Sequence, residues 1–273
     1  MKDVIEFSDS DPLKTMQSFY IKDRSIGLTP NLIVVKNGQK WFETNSWGLK
    51  GKEPAPGKKV VVIWGDSVVF GMGSPTWPDL MNEHFDEYHF MNGGVEGSAV
   101  DHILQRAIRA NGEHAIALNV IFPGWHPSGP SGSVNNTIER ILREGMKQVP
   151  NAIVSTIPTS LNEEVIKLDL TPYRTGADGV VHFWGFGRNE PTTKMMEDFY
   201  TRIVERNEII RRAAREAGVP LFDWFTAMRT TSVKDFAADF FDFGHPRISS
   251  YGKIAQVWSD ALRRHLMAGT RSR

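Results

Sequence analysis

The stretch VVIWGDSVVFG, residues 61–71, places a run of strand-forming residues directly before a turn and a second apolar segment. A short apolar run rich in β-branched residues is typical of a buried parallel strand. Gly65, Asp66 and Ser67 end that run, and Asp and Ser are favoured caps for the start of a helix. The stretch therefore predicts a strand that turns straight into a helix, with the Ser67 hydroxyl at the junction.

Short apolar runs alternate with amphipathic segments from this point onward. The runs are predicted strands, and they cover residues 60–64, 88–92, 115–122, 152–157 and 219–224. The amphipathic segments are predicted helices, and they cover residues 76–86, 98–110, 134–148, 194–217 and 249–267. This alternation predicts a three-layer α/β/α fold of flavodoxin-like type around a mostly parallel five-stranded sheet. Sites in such folds lie at the carboxyl ends of the strands, where Ser67 is placed.

The first 57 residues have a different pattern and are predicted to form a small strand-rich extension. Within it, LIVVKNGQKWFE, residues 32–43, surrounds Asn37-Gly38, a dipeptide that favours a two-residue hairpin turn. GKEPAPGKK then forms a linker to the domain at residues 58–273. In that domain residues 171–191 are Gly-rich and aromatic without a sustained period, so we expect a lid-like insert there.

Composition narrows the classes of function. Lys+Arg and Asp+Glu balance at 32 each, so the chain carries no charge excess for nucleic acid or an anionic membrane surface. The sequence has no Cys, which excludes disulfides, thiolate metal sites and a cysteine nucleophile. No signal-peptide pattern and no apolar run of about 18 residues is found. We therefore expect a cytoplasmic protein without a membrane span that acts on a small molecule.

A second motif lies near the end of the chain. FFDFGHPRISSYGKIA, residues 240–255, places Asp242 and His245 three positions apart just before the last predicted helix. A serine nucleophile needs a base for its proton, and that base needs a carboxylate on its other ring nitrogen. The residues alone leave alternatives open: Ser67 as a helix cap only, His245 as the end of a loop, and Asp239 as the carboxylate in place of Asp242.

Together, the Gly-Asp-Ser after the first core strand, the Asp-x-x-His-Pro before the last helix and the alternation between them resemble the SGNH (GDSL) hydrolase superfamily. The resemblance spans about residues 58–268. TNSWGLKG, residues 44–51, is similar to the lead-in of a bacterial esterase and acetylhydrolase-like branch that carries an N-terminal extension. The resemblance implies that residues 58–273 form the catalytic domain of a serine esterase.

The resemblance also implies roles for individual residues. Ser67 matches the nucleophile, and Asp242 and His245 match the acid and base of the triad. NGGVEG, residues 92–97, is similar to the second family motif, so Gly97 is the implied oxyanion donor beside the N–H of Ser67. The implied reaction passes through an acyl-enzyme on an acetyl ester of a small molecule or carbohydrate. No cofactor or metal is expected.

The third family motif is altered. Members have Gly-x-Asn-Asp after the central strand, whereas this sequence has FPGWHP at residues 122–127, so His126 stands where an Asn oxyanion donor is expected. Losing one such donor typically costs about 10²–10³ in turnover, although a neutral imidazole N–H can donate instead. Two alternatives to an esterase stay open: an acyltransferase with the same triad and, because of this substitution, a non-catalytic binding protein on the same scaffold.

Four further side chains are candidates for binding substrate. Trp125 adjoins the altered third motif, Arg247 follows His245, and Tyr173 and Trp184 lie in the predicted insert. Aromatic and basic groups of this kind bind a sugar ring, an aromatic group or a carboxylate. The alternative for each is structural, because most tryptophans pack into a core and most arginines lie at the surface.

Overall fold

Two sheets organise the part of the chain that the structure describes. The structure is a computed structural model and describes residues 2–7, 26–125, 134–168, 193–229, 238–240 and 242–270. The smaller sheet is N-terminal and consists of β1 (Asp3–Phe7), β2 (Leu32–Lys36) and β3 (Gln39–Glu43). β1 runs parallel to β2, and β2 runs antiparallel to β3.

The turn between β2 and β3 is the predicted hairpin turn. Asn37 and Gly38 have φ angles of 50° and 74°. Left-handed φ at both central residues is what a type I′ turn requires, and Asn-Gly adopts it readily. The N-terminal hairpin is therefore confirmed, and its parallel partner β1 is an addition that the sequence pattern did not indicate.

The larger sheet has five strands, all parallel, in the spatial order β5-β4-β6-β7-β8. The strands are β4 (Lys59–Gly65), β5 (Tyr88–Gly94), β6 (Leu118–Ile121), β7 (Ala152–Ser155) and β8 (Leu221–Phe222). The order reverses at β4, which is the topological switch point of a flavodoxin-like sheet. The predicted α/β fold around a five-stranded sheet is confirmed.

Helices connect these strands and flank the sheet. They are α1 (Ser67–Phe70), α2 (Trp77–Leu80), α3 (Val100–Glu113), α4 (Val134–Met146), α5 (Thr193–Ala217), α6 (Trp224–Ala227) and α7 (Tyr251–Thr270). α4 packs between α3 and α5, while α2 packs on α7. No helix within the described ranges is long and apolar enough to cross a membrane.

Several predicted elements are shorter than their apolar patterns suggest, among them the strands predicted at 115–122 and 152–157, and two are interrupted by local structure. The predicted helix over residues 76–86 is divided into α2 and a 3₁₀ turn at Met81–Glu83. The predicted strand at 219–224 forms only β8, because Asp223 caps α6 by accepting a hydrogen bond from the N–H of Thr226. A side-chain cap of this kind favours helix over strand.

Three tryptophans anchor α7 to the rest of the core. Trp77, Trp224 and Trp258 are fully buried, with ring centroids 5.2–5.5 Å apart. Trp258 lies on the apolar face predicted for the last helix, beside the buried Ile254 and Leu262. This packing fixes the helix whose N-terminal end follows His245.

Gly94, at the end of β5, allows α1 to lie directly on the sheet. A Cβ added to Gly94 would lie 2.2 Å from the backbone nitrogen of Phe70 and 2.7 Å from its Cα. These are backbone atoms of α1, which cannot move aside as the end of a flexible side chain can, so the close approach of α1 to β5 requires glycine here.

Gly94→Ala is expected to lower the free energy of unfolding by about 1–3 kcal/mol, which is the typical cost of forcing extra atoms into a packed region. Gly112→Ala is the control, because Gly112 is exposed in α3 and a Cβ there meets nothing within 4 Å. Alanine is the better helix former, so this control should be neutral or stabilising by up to about 1 kcal/mol. Urea unfolding of both variants measures the difference, and equal stability of the two would contradict the close approach.

Candidate active site

Asp66 shapes the turn that carries Ser67. Its Oδ1 accepts a hydrogen bond of 3.0 Å from the N–H of Val68, and its Oδ2 accepts one of 2.9 Å from the N–H of Trp125. Only 1% of Asp66 is exposed. The same carboxylate therefore caps α1 and holds the segment that follows β6, so the first and third sequence motifs are joined by one buried side chain.

Ser67, His245 and Asp242 are brought into a hydrogen-bonded series. Ser67 Oγ lies 2.8 Å from His245 Nε2, although the two residues are 178 positions apart. His245 Nδ1 lies 2.7 Å from Asp242 Oδ2. An ionised carboxylate can only accept, so Nδ1 carries the proton and Nε2 is free to accept from the Ser67 hydroxyl. The arrangement has the geometry of a nucleophile, a base and an orienting carboxylate.

The turn at residues 242–245 holds Asp242 in this orientation. Its Oδ1 accepts hydrogen bonds from the backbone N–H groups of Gly244 and His245, at 2.9 and 2.7 Å. The alternative carboxylate is engaged elsewhere, because Asp239 forms an ion pair with Lys253. The three-residue spacing thus presents Asp242 and His245 on one turn, as the sequence predicts.

The environment of His245 favours its charged form. Burial alone would lower the pKa of the imidazole, but the hydrogen bond and the charge of Asp242 outweigh it, with Asp66 and Glu96 adding to the effect, so the pKa is raised above 6.5. A base with such a pKa accepts a proton readily near neutral pH.

Gly97 lies on the loop that follows β5 at the same edge of the sheet. Gly94 pairs with Gly65, and the N–H of Val95 donates to the Gly65 carbonyl over 3.0 Å. Gly97 has a φ of 64°, in the left-handed region that favours glycine. The loop that carries the predicted oxyanion donor therefore leaves the sheet beside the Ser67 turn.

A buried arginine joins these two loops. Arg106 on α3 donates to the Gly65 carbonyl and to Ser98 Oγ, each over 3.0 Å. Gly65 precedes the Ser67 turn, and Ser98 follows Gly97 directly. Arg106 thus fixes the two loops relative to one another.

Two predicted substrate-binding residues occupy defined positions. The indole of Trp125 lies 5.3 Å from the His245 ring, centroid to centroid, and covers Gly244, where an added Cβ would come within 1.2 Å of the indole. Arg247 Nε donates to the Phe240 carbonyl over 3.0 Å. Trp125 thus forms an apolar wall next to the imidazole, whereas part of the Arg247 guanidinium braces the backbone before the 242–245 turn.

The remaining predicted site residues, His126, Tyr173 and Trp184, lie outside the described residues, as does the predicted insert at 171–191. Their roles stay predictions. Among the residues that the structure does describe, no group of three or more His, Asp or Glu side chains could hold a metal ion.

Arg206 is a contributor that sequence analysis does not single out. It reaches from α5 and donates to the Trp125 carbonyl. Asp66 already holds the N–H of Trp125, so both backbone polar groups of this residue are fixed by charged side chains. Arg206 is one of several arginines on α5, and nothing in its position in the sequence indicates that it, and not another of them, contacts Trp125.

Asp242→Asn is expected to lower the pKa of His245, because the effect of burial is then opposed only by the charges of Asp66 and Glu96. A group whose pKa is raised by folding stabilises the protein below its unfolded pKa of about 6.5, and that contribution is lost as the pH rises through the folded value. The variant should lose this pH-dependent contribution. NMR titration of the His245 ring protons tests it against Asp239→Asn, which should leave the pKa unchanged. A His245 pKa that responds to Asp239 instead would transfer the carboxylate role.

No family model matches the sequence, and no curated protein matches it. A lipase/acylhydrolase from Enterococcus faecalis is similar in structure with a TM-score of 0.53 at 16% identity, over 76% of this chain and 96% of that one. An inhibitor-bound aryl esterase from M. smegmatis has a TM-score of 0.52 at 12% identity, over 76% and 99%.

A GDSL-like lipase from Bacteroides thetaiotaomicron has a TM-score of 0.50 at 15% identity, over 78% of this chain and 91% of that one. At identities this low, the similarity shows a shared fold. The shared fold agrees with the strand order around β4 and with the sequence motifs at Ser67 and His245. The chain therefore has the SGNH (GDSL) hydrolase fold.

Proposed function

We propose that this protein is a serine hydrolase of carboxylic esters. The observation that carries the proposal is the pair of hydrogen bonds that join Ser67 Oγ to His245 Nε2 at 2.8 Å and His245 Nδ1 to Asp242 at 2.7 Å. The structural neighbours named as acylhydrolase, lipase and aryl esterase support the same class of reaction. In this proposal Ser67 is the nucleophile, His245 the base and Asp242 the orienting carboxylate.

The reaction proceeds in two halves. His245 Nε2 takes the Ser67 proton while Oγ bonds to the ester carbonyl carbon, and the carbonyl oxygen becomes an oxyanion. Collapse of this intermediate breaks the bond to the alcohol, which leaves with the proton from His245. Water then attacks the acyl-enzyme with His245 again as base, and the carboxylic acid and free Ser67 are regenerated.

The oxyanion is assigned to backbone and side-chain donors. The N–H groups of Ser67 and Gly97 supply two of them, and the imidazole of His126 supplies the third in place of the usual Asn. Preorganised donors of this kind are worth several kcal/mol each, because they act where charge develops in the transition state. Arg106 keeps the Ser67 and Gly97 loops in register for this purpose.

The substrate we propose is an acetyl ester of a small molecule or carbohydrate. Trp125 supports the carbohydrate part of this proposal, because its flat indole beside the imidazole of His245 suits a sugar ring or an aromatic group. We also propose that residues 58–273 form the catalytic domain and that residues 1–57 form an N-terminal extension to it.

A fluorophosphonate probe should label Ser67 stoichiometrically, and ester hydrolysis should accompany the labelling. Both should be lost in Ser67→Ala and His245→Ala, because the nucleophile or its base is gone. Ser249→Ala, an exposed serine near His245, is the matched control and should keep both. Mass spectrometry of the labelled peptide reads the result.

Folded wild-type protein that takes no label but binds ligand would instead indicate a binding protein on this scaffold. Analysis of the reaction products distinguishes a hydrolase from an acyltransferase, which is the remaining alternative. Release of free acid in water is expected of a hydrolase, whereas exclusive formation of a new ester with an added alcohol would indicate an acyltransferase.

His126→Ala is expected to lower kcat by at least about 10-fold, the low end of the cost of losing an oxyanion donor. His126→Asn restores the amide that the third family motif has at this position and should retain more activity than the alanine variant. Steady-state kinetics on the best ester tests both variants. A change of less than twofold in His126→Ala would remove His126 from the oxyanion site.

A further inference from the structure

We infer that Lys50, which belongs to the N-terminal extension, is a positioning residue for the helix that carries Ser67. The extension then contributes to the active site by holding the helix that begins at Ser67. This inference rests on the proposed function, because it concerns how the proposed nucleophile is held.

Lys50 is a buried lysine whose amine contacts the far end of α1. Only 2% of the residue is exposed. Its Nζ donates to the carbonyl of Phe70 over 2.8 Å and to that of Gly71 over 3.3 Å. The last carbonyls of a helix have no partner within the helix, and when buried they require a donor from elsewhere. Lys50 supplies that donor to the helix whose first residue is Ser67.

Asn92 on β5 completes the support of α1. The backbone N–H of Lys50 donates to the Asn92 carbonyl over 3.0 Å. The Asn92 side chain donates to the Val69 carbonyl over 2.7 Å and accepts from the N–H of Gly94 over 2.9 Å. One buried network thus links the extension, the end of α1 and the strand that leads to Gly97.

Apolar packing ties the same parts together. Phe70, at the end of α1, and Val95, at the start of the Gly97 loop, are buried in a small hydrophobic cluster with residues of the extension: Leu28, Leu32, Val34 and Phe42. The rings of Phe42 and Phe70 meet edge to face at 5.3 Å. Lys50 Nζ lies 4.1 Å from the centroid of the Phe70 ring, within the range of a cation–π contact.

The Lys50 amine loses its proton more readily than an exposed lysine does, but its hydrogen bonds to the two carbonyls do not require the positive charge. Burial lowers the pKa of Lys50 from 10.5 to about 7, and the carboxylates of Asp79 and Glu96 oppose that fall. Both the ammonium and the neutral amine carry N–H donors. The support of the Phe70 and Gly71 carbonyls therefore persists on either side of neutral pH.

The length of α1 makes this support matter for chemistry. Four residues of helix rise about 6 Å, so the amine that holds one end acts a single turn away from the Ser67 hydroxyl at the other. A misplacement of about 1 Å at a reacting group can cost about 10²-fold in rate. Loss of the Lys50 donor should thus reduce the reactivity of Ser67.

Lys50→Met removes the donor and keeps most of the aliphatic stem. We expect the fluorophosphonate labelling rate of Ser67 and kcat on an acetyl ester to fall by at least about 10-fold, with KM within about threefold, because the defect lies in the nucleophile. Lys50→Arg retains N–H donors and should recover part of the loss. Lys40→Met changes an exposed lysine on β3 of the same extension and should behave as wild type.

Thermal unfolding of each variant establishes that the protein compared is folded. If Lys50→Met does not fold, Lys50→Gln provides the milder change, since it keeps an N–H donor on a side chain one atom shorter and so weakens the bonds to the Phe70 and Gly71 carbonyls, and a labelling rate reduced at least twofold is expected. Wild-type labelling and kcat in a folded Lys50→Met, or in Lys50→Gln where that variant is needed, would overturn the inference while leaving the proposed function intact. Absence of labelling and hydrolysis in the wild type would overturn the proposed function itself.

Discussion

The pairing of β4 with β5 on one side and β6 on the other is the constraint from which the site follows. Gly65 is in register with Gly94, and Trp64 with Ile121. Because all three strands run the same way, the chain leaves the sheet three times within a short distance along one edge. These exits are the Ser67 turn, the Gly97 loop and the segment at Trp125, so parts that are distant in sequence meet without a dedicated linker.

Buried polar side chains turn this proximity into fixed geometry. Asp66 uses both carboxylate oxygens on backbone N–H groups, and Arg106 and Asn92 each span two chain segments. Buried polar groups are costly unless they are hydrogen-bonded, and most of these contacts pair the side chain with a backbone N–H or carbonyl group. The same bonds that make burial of these residues tolerable also orient the loops, so stability and alignment of the site have a shared physical origin.

The fold and the central residues of the site could be predicted because their signals are local. β-branched runs, an Asn-Gly turn and a three-residue spacing between Asp242 and His245 each follow from short-range chemistry. The choice between Asp239 and Asp242 could not be made in this way, because it depends on where Lys253 lies in the first turn of α7. Lys50 and Arg206 were also beyond sequence reasoning, since both act on backbone carbonyls, which every residue has.

The indole of Trp125 lying over Gly244 links two properties that are usually adjusted separately. A smaller residue at position 125 would widen the space next to the imidazole and would at the same time free the turn that aims it. Room for a bulkier substrate would therefore come with a less rigid base. In the proposed esterase, a substitution of Trp125 that broadens the substrate specificity would therefore also lower the rate, and a second change that tightens the 242–245 turn would have to accompany it.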